Sequence, residues 1–257
     1  MVKAIFFDVD GTLVSHKTKQ VPASTRKCIG QLREKGIRLY LCTGRHIKEL
    51  EKLPVGDMKF DGYVTINGQL CLDGEKNYLY GTPFSEEASR KLGMLFQEKQ
   101  FPLVLVEEKS LYLNFVNEAA REALQEVSTP VPPIAEYGGR PIYQATTFFK
   151  RQEEKQLEEV MPSDCKLLRW SEHGVDLVSA RGGKVAGMKY ILDMLGLTPK
   201  EILAFGDADN DIEMLKFAGT GIAMGNAKEA VKLAADYITE DIDENGIEKA
   251  LKYFGLI

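Results

Sequence analysis

The sequence predicts an α/β protein, with a core of parallel strands alternating with helices and an inserted α+β module. Three observations carry this. The first 80 or so residues alternate strand-like and helix-like segments, the pattern of βαβ units. The middle of the chain, residues 83–179, has runs of consecutive strands, which suggests a separate module with an antiparallel sheet. From Arg181 onward the α/β rhythm returns. The predicted core is therefore split in sequence, residues 1–82 and 180–257 flanking the insertion.

The elements follow from composition and spacing. Ala4–Phe7 is an apolar run that reads as a buried strand. Ser24–Lys35 has helical spacing of Cys28, Ile29 and Leu32 and stops at Gly36, a natural helix terminator. Ile37–Cys42 is a second strand, His46–Leu53 a short helix broken by Pro54, and Gly62–Ile66 a third strand before the turn dipeptide Asn67-Gly68. In the insertion, Ser85–Gln100 reads as a helix. Pro102–Glu107 and Leu111–Val116 read as a hairpin turning through Glu108, Lys109 and Ser110. Asn117–Val127 is helical, Thr129–Pro133 a Pro-rich connector, Tyr143–Phe149 a strand and Gln152–Val160 a helix. Cys165–Arg169 and Val175–Val178 complete the module as strands. The returning core reads as helix Lys184–Leu195, strand Glu201–Phe205, helix Asp211–Phe217, strand Gly221–Met224 and helix Ala227–Leu233.

Composition narrows the function. The 257 residues are 44% hydrophobic and 28% charged, ordinary for a globular protein of one large or two modest domains. A net charge of −5 provides no basic footprint for nucleic acid. No apolar run approaches the ~18 residues of a membrane span, and no secretory leader is visible. Cys28, Cys42, Cys71 and Cys165 are scattered without a CxxC pair, so the expectation is reduced thiols in a cytoplasmic protein and no zinc site. His16, His46 and His173 have no ligand spacing. No heptad pattern assigns an oligomeric state.

The chemistry is concentrated in four clusters: Asp8-x-Asp10-x-Thr12, Thr43-Gly44-Arg45, Lys184, and Gly206-Asp207-Ala208-Asp209-Asn210-Asp211. Three follow predicted core strands, and Lys184 opens a helix after Gly182-Gly183. In a parallel sheet the carboxyl ends of the strands share one edge, so the three strand-end clusters should converge there. Clustered acids at that edge are costly unless something uses them. Phosphoryl transfer would, since an anionic nucleophile must approach an anionic phosphoryl group and a cation has to screen both. Mg²⁺ suits an all-oxygen site, with Asp8 and Asp207 as carboxylate ligands. Lys184 could neutralise nucleophile and phosphate together, while Thr43 and the N–H groups beside Gly44 could bind the remaining oxygens.

Taken in order, Asp8-Val9-Asp10-Gly11-Thr12-Leu13, Thr43-Gly44-Arg45, a lysine before a helix and Gly206-Asp207-x-x-Asn210-Asp211 resemble the four motifs of the haloacid dehalogenase superfamily. The whole chain resembles its Cof-type phosphatases, with a Rossmann-like core and the insertion as a C2 cap. That resemblance implies Asp8 as the nucleophile that forms an aspartyl-phosphate. It implies Asp10 as general acid and then base, and as a donor of its backbone carbonyl to the metal. Asp207 would be a metal ligand, and Asp211 would hold metal-bound water or orient its neighbours. Thr43, Gly44 and Lys184 would bind the phosphoryl group, with Asn210 as a further contact. One departure stands out: the family pattern Glu-x-x-Pro-x-Gly before the lysine is here Asp176-Leu177-Val178-Ser179-Ala180-Arg181-Gly182, without the proline and with Asp for Glu.

Structural readings of the same residues compete. Asp8 and Asp10 could end a strand in a turn, and Lys184 could be a solvated helix-start lysine. Asp209 reads best as a helix cap. Arg45 could contact substrate or the insertion, or pair with a surface acid. Gly219-Thr220-Gly221-x-x-Met224-Gly225 imitates a dinucleotide fingerprint with its last glycine one position late, and is rejected as one. The alternation in Leu103–Glu107 reads as sheet packing.

The resulting expectation is a Mg²⁺-dependent phosphatase of small phosphorylated metabolites, sugar phosphates being the class the resemblance implies. A phosphomutase or phosphotransferase with the same nucleophile, and a phosphate-binding regulator without turnover, are the alternatives. Hexose, pentitol, flavin-pathway and pyridoxal phosphates all remain open as substrates. Gly81–Phe84 and Ser179–Gly183 are the natural hinges of the insertion.

Overall fold

A run of four side chains that are all apolar can be satisfied only where both faces of a strand are covered. The Ala4–Phe7 segment meets that condition, with every residue fully buried. The computed structural model describes residues 1–127 and 129–257. They divide into two compact units, residues 1–80 with 184–257, and residues 81–183.

The first unit contains β1 (Ala4–Phe7), α1 (Ala23–Glu34), β2 (Arg38–Cys42), α2 (Ile47–Leu50), β3 (Gly62–Thr65), β4 (Leu70–Asp73) and β5 (Tyr78–Gly81). The second contains α3 (Glu86–Glu98), β6 (Leu103–Val106), β7 (Leu111–Leu113), α4 (Glu118–Glu126), β8 (Gln144–Phe148), α5 (Glu154–Val160), β9 (Cys165–Arg169) and β10 (Gly174–Ser179). The chain then returns to the first unit with α6 (Lys184–Leu195), β11 (Ile202–Gly206), α7 (Ile212–Phe217), β12 (Thr220–Ala223), α8 (Glu229–Lys232), β13 (Tyr237–Ile238) and α9 (Gly246–Tyr253).

The core sheet runs β13-β12-β11-β1-β2-β3-β4-β5. From β13 to β3 each pairing is parallel, and β1 is hydrogen-bonded to both β11 and β2. Side chains alternate between its two faces. Phe6 stacks on Tyr40 at 5.0 Å on one face, where α6 and α7 bring Met188, Ile191, Met214 and Leu215. Phe7, the next residue along, stacks on Phe205 at 5.1 Å. Burial of that one aromatic-rich layer is the kind of apolar transfer, ~25 cal/mol per Å², that sustains a core of this size.

The second unit has its own sheet, β7-β6-β8-β10-β9, antiparallel in every pairing. Its core joins Phe84, Leu92 and Phe96 from α3 and its N-terminal approach with Leu103, Leu105, Ala145, Val175 and Leu177 on alternate strand positions. Leu103–Glu107 is thus sheet packing. Asp176, the acid that departs from the family pattern, lies in β10 and accepts from Thr146 Oγ1 at 2.7 Å and Trp170 Nε1 at 3.1 Å.

Several expectations need correction. The core sheet is mixed: β4 and β5 were absent from the sequence reading, and β4 runs antiparallel to β3. The dipeptide Asn67-Gly68 between two apolar runs is a hairpin signal that should have revealed β4. The two-residue strand β13 and helix α9 were also missed. The helix expected over 227–233 is confined to Glu229–Lys232, and that expected over 152–160 starts as a 3₁₀ turn at Arg151–Glu153. Gly219 and Gly221 serve close backbone packing, where a Cβ would meet the chain at Pro199–Lys200 and Leu215.

Helix α6 reaches the sheet only because Gly187 has no side chain. A Cβ there would stand 2.5 Å from Val64 Cγ1 and 3.0 Å from Cys71 Sγ. Gly187→Ala should therefore push α6 off the sheet and cost about 1–3 kcal/mol by overpacking, read from the urea midpoint at constant m. An unchanged or higher midpoint would contradict this packing.

Candidate active site

Parallel pairing of β11, β1 and β2 brings their carboxyl ends side by side, and each ends in one of the polar clusters. Asp8 follows β1, Thr43 follows β2 and Asp207 follows β11. All three are buried, as are Lys184 and Asp211. Residues spread from position 8 to position 211 thus share one edge of one sheet.

The centre is an ion cluster. Lys184 Nζ lies 2.7 Å from Asp8 Oδ1 and 2.6 Å from Asp211 Oδ1. The lysine is 3% exposed and Asp211 not at all. Its carboxylate neighbours keep the ammonium protonated, raising its pKa far above the ordinary value against the opposing effect of burial. Asp211 Oδ2 accepts the backbone N–H groups of Asp207 and Ala208, each at 3.0 Å. Both oxygens of Asp211 are therefore held by protein donors. Asp8 Oδ2, by contrast, accepts no hydrogen bond from any described residue.

Asp207 is held by Thr12, whose Oγ1 donates to Oδ1 at 2.9 Å. Gly11, at φ 84°, is required here because a Cβ would collide with the Asp207 carboxylate. One oxygen from each of Asp8, Asp207 and Asp211 lies within 4.8 Å of the others. Three carboxylates against one ammonium leave a formal excess of two negative charges in a buried site. That surplus, with oxygen donors alone, fits a hard divalent cation. Burial, then the Asp211 charge, raise the Asp207 carboxyl to about 7, while the Thr12 hydrogen bond opposes them. Burial, with Asp211 next, also raises Asp8 well above its ordinary range.

Asp10 and Arg45 form a second pair. Arg45 Nε donates to Asp10 Oδ2 at 2.6 Å and Nη2 to Oδ1 at 2.8 Å, a two-pronged contact that fixes the carboxylate plane. The sequence reading left Arg45 open among three roles; its partner is the acid beside the predicted nucleophile. Asp209 needs correction too. Its side chain caps no helix but pairs with Lys228 at 2.8 Å, because Asp211 already satisfies the N–H groups of that turn. Asn210 Nδ2 donates to Asn67 Oδ1 at 3.0 Å. His46 opens α2 and accepts the Lys48 N–H at 3.2 Å.

The sequence reading missed Asn67 and Asn226 as neighbours of this site. Asn226 Nδ2 donates to Gly11 O at 2.8 Å, and its Oδ1 accepts Ile242 N–H at 3.1 Å. Its signal was available: Asn226 lies just past β12, a fourth parallel strand ending on the same edge.

The profile of haloacid dehalogenase-like hydrolases matches residues 5–251. YkrA of Bacillus subtilis (strain 168), provisionally assigned as a phosphatase, is 33% identical over 258 residues, covering 99% of this chain and 98% of its own. YwtE of the same organism, a 5-amino-6-(5-phospho-D-ribitylamino)uracil phosphatase, is 26% identical over 276 residues, covering 96% of each chain. The solved structure of the subclass IIB sugar phosphatase BT4131 superposes with a TM-score of 0.86 at 35% identity and covers all of both chains.

Asp207 allows a test by pH. Its folded-state pKa of about 7 exceeds the ordinary 3.8. Between those values the folded chain retains a proton that the unfolded chain has lost. The stability from that proton is fully present below the unfolded pKa and disappears as pH rises towards 7. In EDTA, Asp207→Asn should therefore gain melting temperature relative to wild type from pH 5 to pH 8. A difference that stays constant or shrinks over that range would contradict the buried, charge-crowded carboxylate.

Proposed function

This chain belongs to the haloacid dehalogenase-like hydrolases and is a phosphatase, and on that premise we propose that it hydrolyses small phosphorylated metabolites with bound Mg²⁺ through an aspartyl-phosphate on Asp8. The observation that carries the reading is the buried set of Asp8, Asp207 and Asp211 around Lys184.

Asp8 and Asp207 would hold the metal directly, with the backbone carbonyl of Asp10. Asp211, both of whose oxygens already accept protein donors, would orient its neighbours or hold metal-bound water. The metal would supply charge neutralisation between two anions that otherwise repel. Lys184 holds Asp8 Oδ1, which leaves Oδ2 to attack phosphorus. A bond forms from Asp8 to phosphorus as the bond to the leaving oxygen breaks, and Asp10 passes its proton to that oxygen. Asp10 then removes a proton from water, whose oxygen attacks phosphorus and frees Asp8 and inorganic phosphate. The Arg45–Asp10 contact corresponds to the base form; the acid form needs one of its two bonds released. Thr43, Gly44, Lys184 and Asn210 bind the phosphoryl oxygens.

Residues 83–179 act as the cap, of C2 type, and select the leaving group. Sugar and polyol phosphates are the preferred class, supported by the similarity to a sugar phosphatase and to a phosphatase of a ribityl phosphate. The scattered free thiols fit a cytoplasmic setting. Among the described residues no helix is long and apolar enough to cross a membrane.

Phosphate release from about a hundred phosphorylated metabolites, with Mg²⁺ and with EDTA, tests the reading. Metal-dependent release should appear and should fall by several orders of magnitude in Asp8→Asn, of the order seen when a covalent nucleophile is lost. Near-normal turnover in that variant would eliminate the aspartyl-phosphate. Release from no compound, with phosphoryl exchange between sugars instead, would replace hydrolysis with a mutase activity. Asp10→Asn should slow poor leaving groups more than good ones, and equal slowing would remove Asp10 as the acid.

A further inference from the structure

Immediately after β3 the backbone does something costly. Ile66, Asn67 and Gly68 take φ values of 54°, 51° and 83° in succession. Glycine accepts such values freely and asparagine tolerates them, but a β-branched isoleucine there is an outlier that costs of order 1–3 kcal/mol. All three residues are buried. A simple reversal from β3 into β4 could use a two-residue turn without straining an isoleucine, so turning the chain does not by itself account for the strain.

What the strained turn achieves is a set of contacts with two of the four polar clusters and with the helix that carries a third. Ile66 N–H donates to Arg45 O at 3.1 Å and Asn67 N–H to Thr43 O at 2.9 Å, which ties the turn to the Thr43-Gly44-Arg45 loop from both ends. The Asn67 carboxamide lies against Gly44, where a Cβ would be 3.0 Å from Oδ1 and 3.2 Å from Nδ2. Asn67 Oδ1 accepts from Asn210 Nδ2 at 3.0 Å, which links the turn after β3 to the turn that follows β11. The same turn packs against α6, the helix that begins at Lys184, one turn along at Gly187. A primary amide carries two N–H donors. One from Asn210 is given to Asn67, and the second has no partner among the described residues.

We infer that Asn67 is a positioning residue for phosphoryl binding: its carboxamide, presented by a strained left-handed turn, sets the spacing between the Gly44 backbone and the Asn210 amide. This rests on the proposed phosphatase reading and extends it to a residue that touches no reacting atom. Displacement of such a frame by 1 Å can cost about a hundredfold in rate.

The test uses the full-length protein with Mg²⁺, wild type and the variants Asn67→Gly, Asn210→Ala and the double variant. Glycine keeps the left-handed backbone available, so the fold is spared while the carboxamide is removed. Two readouts are taken: kcat and KM on the best substrate of the panel, and affinity for inorganic phosphate by calorimetry. Asn67→Gly is expected to weaken phosphate binding and kcat/KM by about tenfold or more, with the melting temperature nearly unchanged. In the Asn210→Ala background the same change should cost clearly less, since two residues that act through one contact are not additive. Unaltered phosphate affinity and kcat/KM in Asn67→Gly would overturn the inference, as would full additivity in the double variant. So would losses matched by an equal fall in both melting temperature and active fraction, which would make Asn67 merely structural. If wild type itself neither binds nor releases phosphate, the functional reading falls first and this inference with it. If wild type does both and Asn67→Gly is normal, only this inference falls.

Discussion

The contact of Lys184 with Asp8 and Asp211 is the constraint on which the rest of the site depends. Two carboxylates that share a buried edge repel each other, and burying both is costly without a counter-charge. One ammonium at 2.7 Å and 2.6 Å supplies it. Breaking a buried pair by removing one partner typically costs about 3–5 kcal/mol, because the remaining charge is left unpaired. The lysine also occupies one oxygen of Asp8 and leaves the other without a donor among the described residues. The same interaction therefore makes the acid tolerable and leaves it reactive.

That arrangement has architectural requirements. Lys184 is the first residue of α6, so the ammonium is positioned by how closely that helix approaches the sheet. The approach runs through Gly187, and Met188, Ile191 and Leu192 continue the contact in the core. On the opposite side of the cluster, Gly11 makes room for the Asp207 carboxylate, and Thr12 holds it. Small residues at 11 and 187 thus bring charged ones together, and the apolar layer around Phe6 and Tyr40 keeps them from water. The remaining negative charge is a property of the site, since three carboxylates face one cation; burial first, and then the charge of Asp211, raise both Asp8 and Asp207.

Several polar side chains around the site are shared between purposes. Asp211 satisfies backbone N–H groups at the start of a 3₁₀ turn while it accepts from Lys184. Arg45 leaves the Thr43-Gly44 loop to grip Asp10. Asn226 ties the Gly11 carbonyl to the backbone at Ile242. Because each group serves a local and a longer-range partner, the loops at the strand ends are fixed by one another rather than by their own turn chemistry.

From the sequence alone the α/β class was legible, and an insertion and the candidate residues Asp8, Asp10, Thr43, Lys184, Asp207 and Asp211 could be named. Buried strands announce themselves as short apolar runs, and polar residues that follow such runs at once can only lie at a sheet edge. Only tertiary structure decided what depends on distant residues meeting. The partner of Arg45 is 35 positions away in sequence, and the contact of Asn210 with Asn67 spans 143. No local pattern encodes either. The missed strand β13 has the same origin, since a strand of two residues carries too little periodicity to be recognised and is stabilised by the neighbour it pairs with, whereas β4 did have a local signal in Asn67-Gly68. The strained turn at Ile66–Gly68 is the clearest case: intrinsic preference argues against isoleucine at positive φ, and it persists because hydrogen bonds to Thr43 and Arg45 and packing against α6 hold it.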